Sequence, residues 1–132
     1  MRIIPLAHWP QDVKYLQIKK ADNRYYAFAD EKRERIYIPK DWKTNPDIDG
    51  YIFHEYRHIL HKREGIFLEY YARYKDVRDS IIASPDTWLE YALKAEKDCD
   101  LYALEKTGID LGEYPKEGIA HWSFIKKCLK HY

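Results

Sequence analysis

The stretch Tyr51-Ile-Phe-His54-Glu55-Tyr-Arg-His58-Ile-Leu-His61 decides how this sequence is interpreted. It lies in a segment that has a helix start signal at one end and a helix stop signal at the other. Asn45-Pro46-Asp47 is a typical helix start, with a capping side chain, an early proline and an acid near the positive end of the helix dipole. Gly65 is a typical stop signal. The sequence therefore predicts a helix from Asn45 to about Lys62.

This predicted helix carries a pattern suited to binding a metal ion. His54 and His58 are four residues apart, so they share one face, with their Cβ atoms about 5–6 Å apart. Two imidazoles placed in this way can hold one ion at the ~2.0–2.1 Å bonds that zinc takes. Glu55 lies at the edge of that face, where it can reach a water beside the ion without being a ligand. The alternative, a solvated charged face, is disfavoured by apolar neighbours such as Ile52 and Ile59.

A catalytic zinc site needs a third protein ligand. His61 shares the face but lies about 10.5 Å along the axis from His54, so we expect a flanking residue, a partner of a ligand or a surface residue. Glu96 is the better candidate, since Glu96 and Asp100 are a pair of acids beside the apolar stripe of a later helix. Such acids need partners, which predicts Glu96 on the metal and Asp100 accepting the free N–H of a ligand imidazole. A solvated acidic edge among lysines is the alternative.

The order His54-Glu55-x-x-His58 followed by Glu96-x-x-x-Asp100 resembles the gluzincin clan of zinc metallopeptidases. The chain length is similar to that of its smallest members, the archaeal minigluzincins. The resemblance implies that His54, His58 and Glu96 are the zinc ligands. It further implies that Glu55 is the general base and acid, and that Asp100 is the hydrogen-bond partner of a ligand histidine, His54.

The resemblance also implies features outside this ligand set. The strand Arg35–Pro39 would be the edge strand along which a peptide or protein substrate lies. In members of the group, a C-terminal segment can occupy the cleft and keep the enzyme latent, and Tyr114–Tyr132 is available for this. The clan also supplies a Tyr or His that stabilises the oxyanion, but with 13 Tyr in the chain the sequence selects none.

Other groups of proteases share the His-Glu-x-x-His motif. The metzincin pattern fails because it needs Gly at His61 and His at Glu64, together with a Met-turn. Peptide deformylases use an upstream cysteine ligand, whereas Cys99 and Cys128 are both downstream, and we expect them to be buried free thiols. Gene-regulator proteases with the same motif stay open as relatives.

The rest of the sequence predicts an α+β fold, zincin-like, in a single domain of residues 1–132. A small antiparallel sheet is expected at the N-terminus, from a strand at Val13–Lys19 and a hairpin of Arg24–Ala29 with Arg35–Pro39. Three to four helices follow it. Besides the first, they are predicted at Ile66–Ile81, from Ser84-Pro85 to Gly108, and at Ile119–Leu129. Residues 109–132 form the candidate regulatory segment.

Composition excludes several classes of protein. The 132 residues contain 23 Lys and Arg against 22 Asp and Glu, which argues against a nucleic-acid-binding surface. No apolar run approaches the ~18 residues of a membrane span, and no signal peptide is evident, so we expect a cytoplasmic protein. The sequence thus predicts a zinc metallopeptidase, with a homodimer as an open option. The alternatives are a zinc-binding but inactive interaction module and a helical protein without metal.

Overall fold

Two long helices and a small sheet form the fold. The structure, a computed structural model, describes residues 2–18, 27–71 and 85–111. The strands are β1 (Arg2–Ile3), β2 (Lys14–Gln17), β3 (Phe28–Asp30) and β4 (Arg35–Ile38). The helices are α1 (Ile48–Glu64), the single turn α2 (Leu68–Tyr71) and α3 (Pro85–Thr107), with a 3-10 turn at Trp42–Thr44. The α+β class is confirmed, whereas three to four helices are not, since the described residues contain two long ones.

Several predictions fall outside the described residues. These are the first part of the predicted hairpin (24–26), the predicted second helix beyond Tyr71, the last helix Ile119–Leu129, the C-terminal segment beyond Leu111, and Cys128. Within the described ranges, no helix has both the length and the apolar character needed to cross a membrane.

The sheet is mixed rather than antiparallel, so that prediction is not confirmed. Its order is β1-β2-β4-β3, in which β2 and β4 run parallel and the two outer pairs run antiparallel. The most apolar strand takes an inner position, because Ile36 and Ile38 of β4 are both 0% exposed. The prediction of Arg35–Pro39 as an edge strand is therefore wrong. Among the described residues, β3 pairs only with β4 and forms the edge nearest to α1.

The ends of α1 follow the predicted signals with a small shift. The side chain of Asn45 accepts a hydrogen bond from the backbone N–H of Asp47 at 2.9 Å, so it stabilises the turn before the helix. The helix consequently begins at Ile48, later than predicted. Gly65 has a left-handed φ of 69°, a conformation that favours glycine, and confirms the predicted stop.

Helix α1 lies between the sheet and α3. One side of α1 packs on the sheet in a core of buried residues: Trp9, Val13, Tyr15, Ile36, Ile38, Ile48, Ile52 and Ile59. The other side faces α3, where Ala95, Cys99 and Ala103 are each 0% exposed, as the predicted apolar stripe requires. Small side chains let two helices approach closely. This close packing brings the acids of α3 next to the histidines of α1.

Candidate metal centre

Two histidines of α1 and one glutamate of α3 meet between the helices. Nε2 of His54 lies 2.8 Å from Oε2 of Glu96, and Nε2 of His58 lies 3.3 Å from Oε1 of the same carboxylate. All three residues are at most 8% exposed. The structure therefore brings the three predicted ligands together, with one carboxylate facing both rings.

The spacing of these atoms suits a metal ion. At bonds of ~2.0–2.1 Å, the ligand atoms of a tetrahedral zinc ion lie about 3.3 Å apart. Of the two N···O distances, 3.3 Å equals that value and 2.8 Å is about 0.5 Å shorter. Two imidazole nitrogens and a carboxylate oxygen are also donor types that zinc accepts. The residues present thus fit the predicted group.

Asp100 is the second partner of His54. Its Oδ1 lies 2.7 Å from Nδ1 of His54. Its other oxygen, Oδ2, is buried and has no hydrogen-bond partner within the part of the chain that the structure describes. A buried carboxylate with an unused acceptor adds negative charge beside the two rings, which favours a cation in this place.

The carboxylates of α3 and the histidines of α1 form an ion pair. Burial disfavours the charged ring, yet hydrogen bonds to Asp100 and Glu96 raise the pKa of His54 well above its usual value. Burial likewise opposes ionisation of Glu96, but the nearby charge of His58 and hydrogen bonds from both histidines hold its pKa well below the usual range. Both ring nitrogens of His54 thus face carboxylates, and a metal ion bound at Nε2 would take the place of a proton there.

Glu55 links the site to the edge of the sheet. Its Oε1 accepts a hydrogen bond from the backbone N–H of Ala29, in β3, at 3.0 Å. Its Oε2 lies 3.5 Å from Nε2 of His54. Burial raises the pKa of the Glu55 carboxyl. One oxygen of Glu55 is thus fixed to the edge strand while the other faces the histidine pair.

His61 is buried, which excludes the surface position and agrees with the flanking position that was the other expectation. It is 0% exposed, and its Nδ1 lies 2.6 Å from the hydroxyl of Tyr71, which in turn lies 2.5 Å from Nδ1 of His58. On its other side, Nε2 of His61 lies 2.5 Å from Oδ2 of Asp98, an oxygen that also accepts from Nε of Arg57 at 2.8 Å. The hydroxyl of Tyr71 therefore connects His61 to His58, a predicted ligand.

Sequence reasoning missed three residues near the centre. The two motifs include neither Tyr71, which lies within the predicted helix Ile66–Ile81, nor Cys99, which is expected only to be a buried thiol, nor Glu31. The ligand atoms of His54, His58 and Cys99 lie within 4.8 Å of one another, so these buried residues are close enough to hold a metal ion. Burial raises the pKa of the Cys99 thiol, against the effect of His58. The position of Cys99, three residues after Glu96, was the available clue.

Glu31 follows β3 and interacts electrostatically with His58. Burial raises its pKa, and the charge of His58 acts in the opposite direction. Glu31 also contributes to the raised pKa of Glu55. The surroundings of the two imidazoles are therefore rich in carboxylates, as a cation site requires.

Comparisons of the chain with known protein families, curated proteins and solved structures find no match. The resemblance to gluzincins therefore stays a prediction from the two sequence motifs. The chemistry available at the α1–α3 contact is that of two imidazoles, a carboxylate facing both, a carboxylate held at a sheet edge and a thiol. Such a set suits a divalent transition-metal ion of the zinc type.

Proposed function

We propose that the protein is a zinc-dependent peptidase in which His54, His58 and Glu96 hold the metal. The observation that carries this proposal is the position of Glu96, whose carboxylate lies 2.8 and 3.3 Å from Nε2 of the two histidines. Three protein ligands leave a fourth position for water or substrate, as in catalytic zinc sites.

Glu55 is the general base and acid in this proposal. Zinc, when bound, supplies Lewis-acid chemistry, because it polarises a carbonyl and lowers the pKa of water towards neutrality. Glu55 takes a proton from the attacking water and returns it to the leaving amine. Its Oε1 is occupied by the N–H of Ala29, so Oε2 is the oxygen that exchanges the proton. The raised pKa of Glu55 suits a group that must both accept and donate near neutral pH.

The substrate is a peptide that lies along β3. This strand, Phe28–Asp30, stands last in the strand order beside β4, and the hydrogen bond from Ala29 places Glu55 next to it. An extended peptide laid alongside this strand would pass next to Glu55, whose Oε1 already accepts from the Ala29 N–H. The substrate strand of this proposal is therefore β3 and not Arg35–Pro39.

Glu55→Gln is the variant that tests this function. It keeps the shape of the side chain but cannot take a proton, so zinc content measured by elemental analysis should stay that of wild type. Peptide cleavage should fall by at least about 100-fold, the usual lower bound for general acid–base catalysis. Glu105→Gln, at an exposed position of α3, is the matched control and should cleave like wild type. Cleavage at the wild-type rate by Glu55→Gln would refute the proposed mechanism.

The second candidate is a zinc-binding but inactive interaction module, and Cys99 is the observation that favours it. With its thiolate as an additional ligand, the site would be closed, as structural zinc sites are. Cobalt(II) in place of zinc distinguishes the two, since a bound thiolate gives a near-ultraviolet charge-transfer band that Cys99→Ala removes. That band, without cleavage by the full chain or by a chain shortened at about Gly112, supports the module. Cleavage without the band supports the peptidase.

A further inference from the structure

His58 has a second set of contacts on the ring nitrogen that does not face Glu96. Its Nδ1 lies 2.5 Å from the hydroxyl oxygen of Tyr71, and the same hydroxyl lies 2.6 Å from Nδ1 of His61. The two histidines are three residues apart on one face of α1, with the tyrosine hydroxyl between their rings. A hydroxyl in this position can donate to one ring and accept from the other.

The hydrogen bonds continue from His61 towards the surface. Nε2 of His61 lies 2.5 Å from Oδ2 of Asp98, and Arg57 donates to the same oxygen at 2.8 Å. The Asp98 side chain is 37% exposed, whereas that of His61 is 0% exposed. The contacts therefore run from the buried centre to solvent and connect all three helices, with Tyr71 in α2 and Asp98 in α3.

We propose that Tyr71, His61 and Asp98 form a hydrogen-bond chain that positions His58 as a metal ligand. Asp98, as a carboxylate, only accepts, so Nε2 of His61 carries a proton and donates it. Nδ1 of the neutral His61 ring then accepts from the Tyr71 hydroxyl. The tyrosine oxygen in turn accepts from the N–H at Nδ1 of His58. This order of protons is assigned from the contacts and places an N–H at Nδ1 of His58, so that a bound metal takes the place of the hydrogen bond from Nε2 to Glu96.

Tyr71 is thus a positioning residue, since it acts on the metal through His58. Partners on the outer nitrogen of a ligand histidine fix its tautomer and orientation and raise its basicity, and their loss typically costs ~10–100-fold in metal affinity. The inference rests on the metal centre of the proposed function but not on its peptidase chemistry. Metal affinity therefore tests it separately from cleavage.

Tyr71→Phe removes the bridging hydroxyl and keeps the ring. Zinc affinity of the full chain, measured by competition with a chromophoric chelator, should fall by ~10–100-fold. The matched control is Tyr102→Phe, whose ring lies 5.3 Å from the Arg57 guanidinium and 5.5 Å from the Lys106 ammonium. The control should bind zinc like wild type. Thermal unfolding of both variants in excess chelator reports the stability of the metal-free protein.

Nitrogen-15 NMR of the histidine rings gives a readout that a purely structural role would not change. In the zinc-loaded wild type, Nδ1 of His58 should carry a proton protected from exchange with solvent, and Tyr71→Phe should remove that protection. Equal zinc affinity of Tyr71→Phe and Tyr102→Phe overturns the inference and leaves the metal centre standing. A loss of affinity explained entirely by unfolding of metal-free Tyr71→Phe also overturns it. If wild type binds no zinc, both the inference and the proposed function fail.

Discussion

His54 and His58 are one helical turn apart, yet they are connected to carboxylates in different ways. In what we call the short arm, Oδ1 of Asp100 lies 2.7 Å from Nδ1 of His54 and contacts the ring directly. In the long arm, His58 reaches Asp98 only through Tyr71 and His61, over three successive contacts. Both arms end on α3, and both occupy the Nδ1 nitrogen of their histidine.

The difference shows that one helix pair can hold two neighbouring rings by two routes. The short arm depends only on the packing of α1 against α3, and the second oxygen of Asp100 is buried between them. The long arm also needs α2 to place Tyr71, and its last carboxylate is shared with Arg57 near the surface. We therefore expect damage to the short arm to have the larger effect on metal binding.

Replacing Asp100 by Asn should have the largest effect. The amide retains the shape but loses the charge that holds the N–H of His54, so zinc affinity should fall by about 100-fold, the upper end for such partners. Competition titration with a chelator measures this. Asp110→Asn, an exposed aspartate after α3, is the matched control and should bind like wild type. A zinc affinity of Asp100→Asn equal to that of Asp110→Asn would show that the short arm is not what holds His54.

A change of pH should act in opposite directions on the metal-free protein and on metal binding. The pKa of His54 is raised well above 6.5 in the fold, so the folded state keeps a proton that the unfolded state loses. The free energy of unfolding of the metal-free protein, measured by denaturant titration, should therefore fall as pH rises above about 6.5. Zinc must displace that proton, so its affinity should rise about tenfold per pH unit over the same range.

This pH dependence belongs to the short arm, because both ring nitrogens of His54 face carboxylates. In Asp100→Asn, both slopes should become shallower, whereas a change in the long arm should leave them as in wild type. Slopes of the same sign for unfolding and for zinc binding would contradict the ion pair between His54 and Glu96.

Replacing Asp98 by Asn should have a smaller effect on zinc affinity than replacing Asp100 by Asn. The carboxylate is partly exposed and acts on His58 through two other side chains, so zinc affinity should fall by less than the ~10-fold expected of a direct partner. The same titration measures this. A larger loss than in Asp100→Asn would reverse the ranking of the two arms.

The elements that could be predicted from the sequence are those set by local signals. Gly65 and Gly108 end the two long helices at left-handed φ values of 69° and 74°, as their positions indicated. Each of the two pairs, His54/His58 and Glu96/Asp100, is spaced to lie on one face of its helix. The two pairs therefore come into contact as soon as these two helix faces pack together. The short arm was predictable for this reason.

The elements that could not be predicted depend on contacts distant in sequence. The parallel pairing of β2 with β4 joins residues about 20 positions apart, as in Tyr15 with Ile36, and alternation within either strand does not give its direction. The long arm depends on the chain reversal after Gly65, where Phe67 also has a positive φ of 54°. That reversal brings Tyr71 back into contact with α1, and no local sequence pattern predicts this contact.

The hydrogen bond between Ala29 and Glu55 has a consequence for observing the protein at work. The backbone N–H of Ala29 donates to Oε1 of Glu55, and this hydrogen bond is stronger when the carboxyl is ionised. The amide resonance of Ala29 is thus a built-in reporter of the charge on Glu55. A titration followed at this one amide would trace the base of the proposed reaction through its protonation states without a substrate.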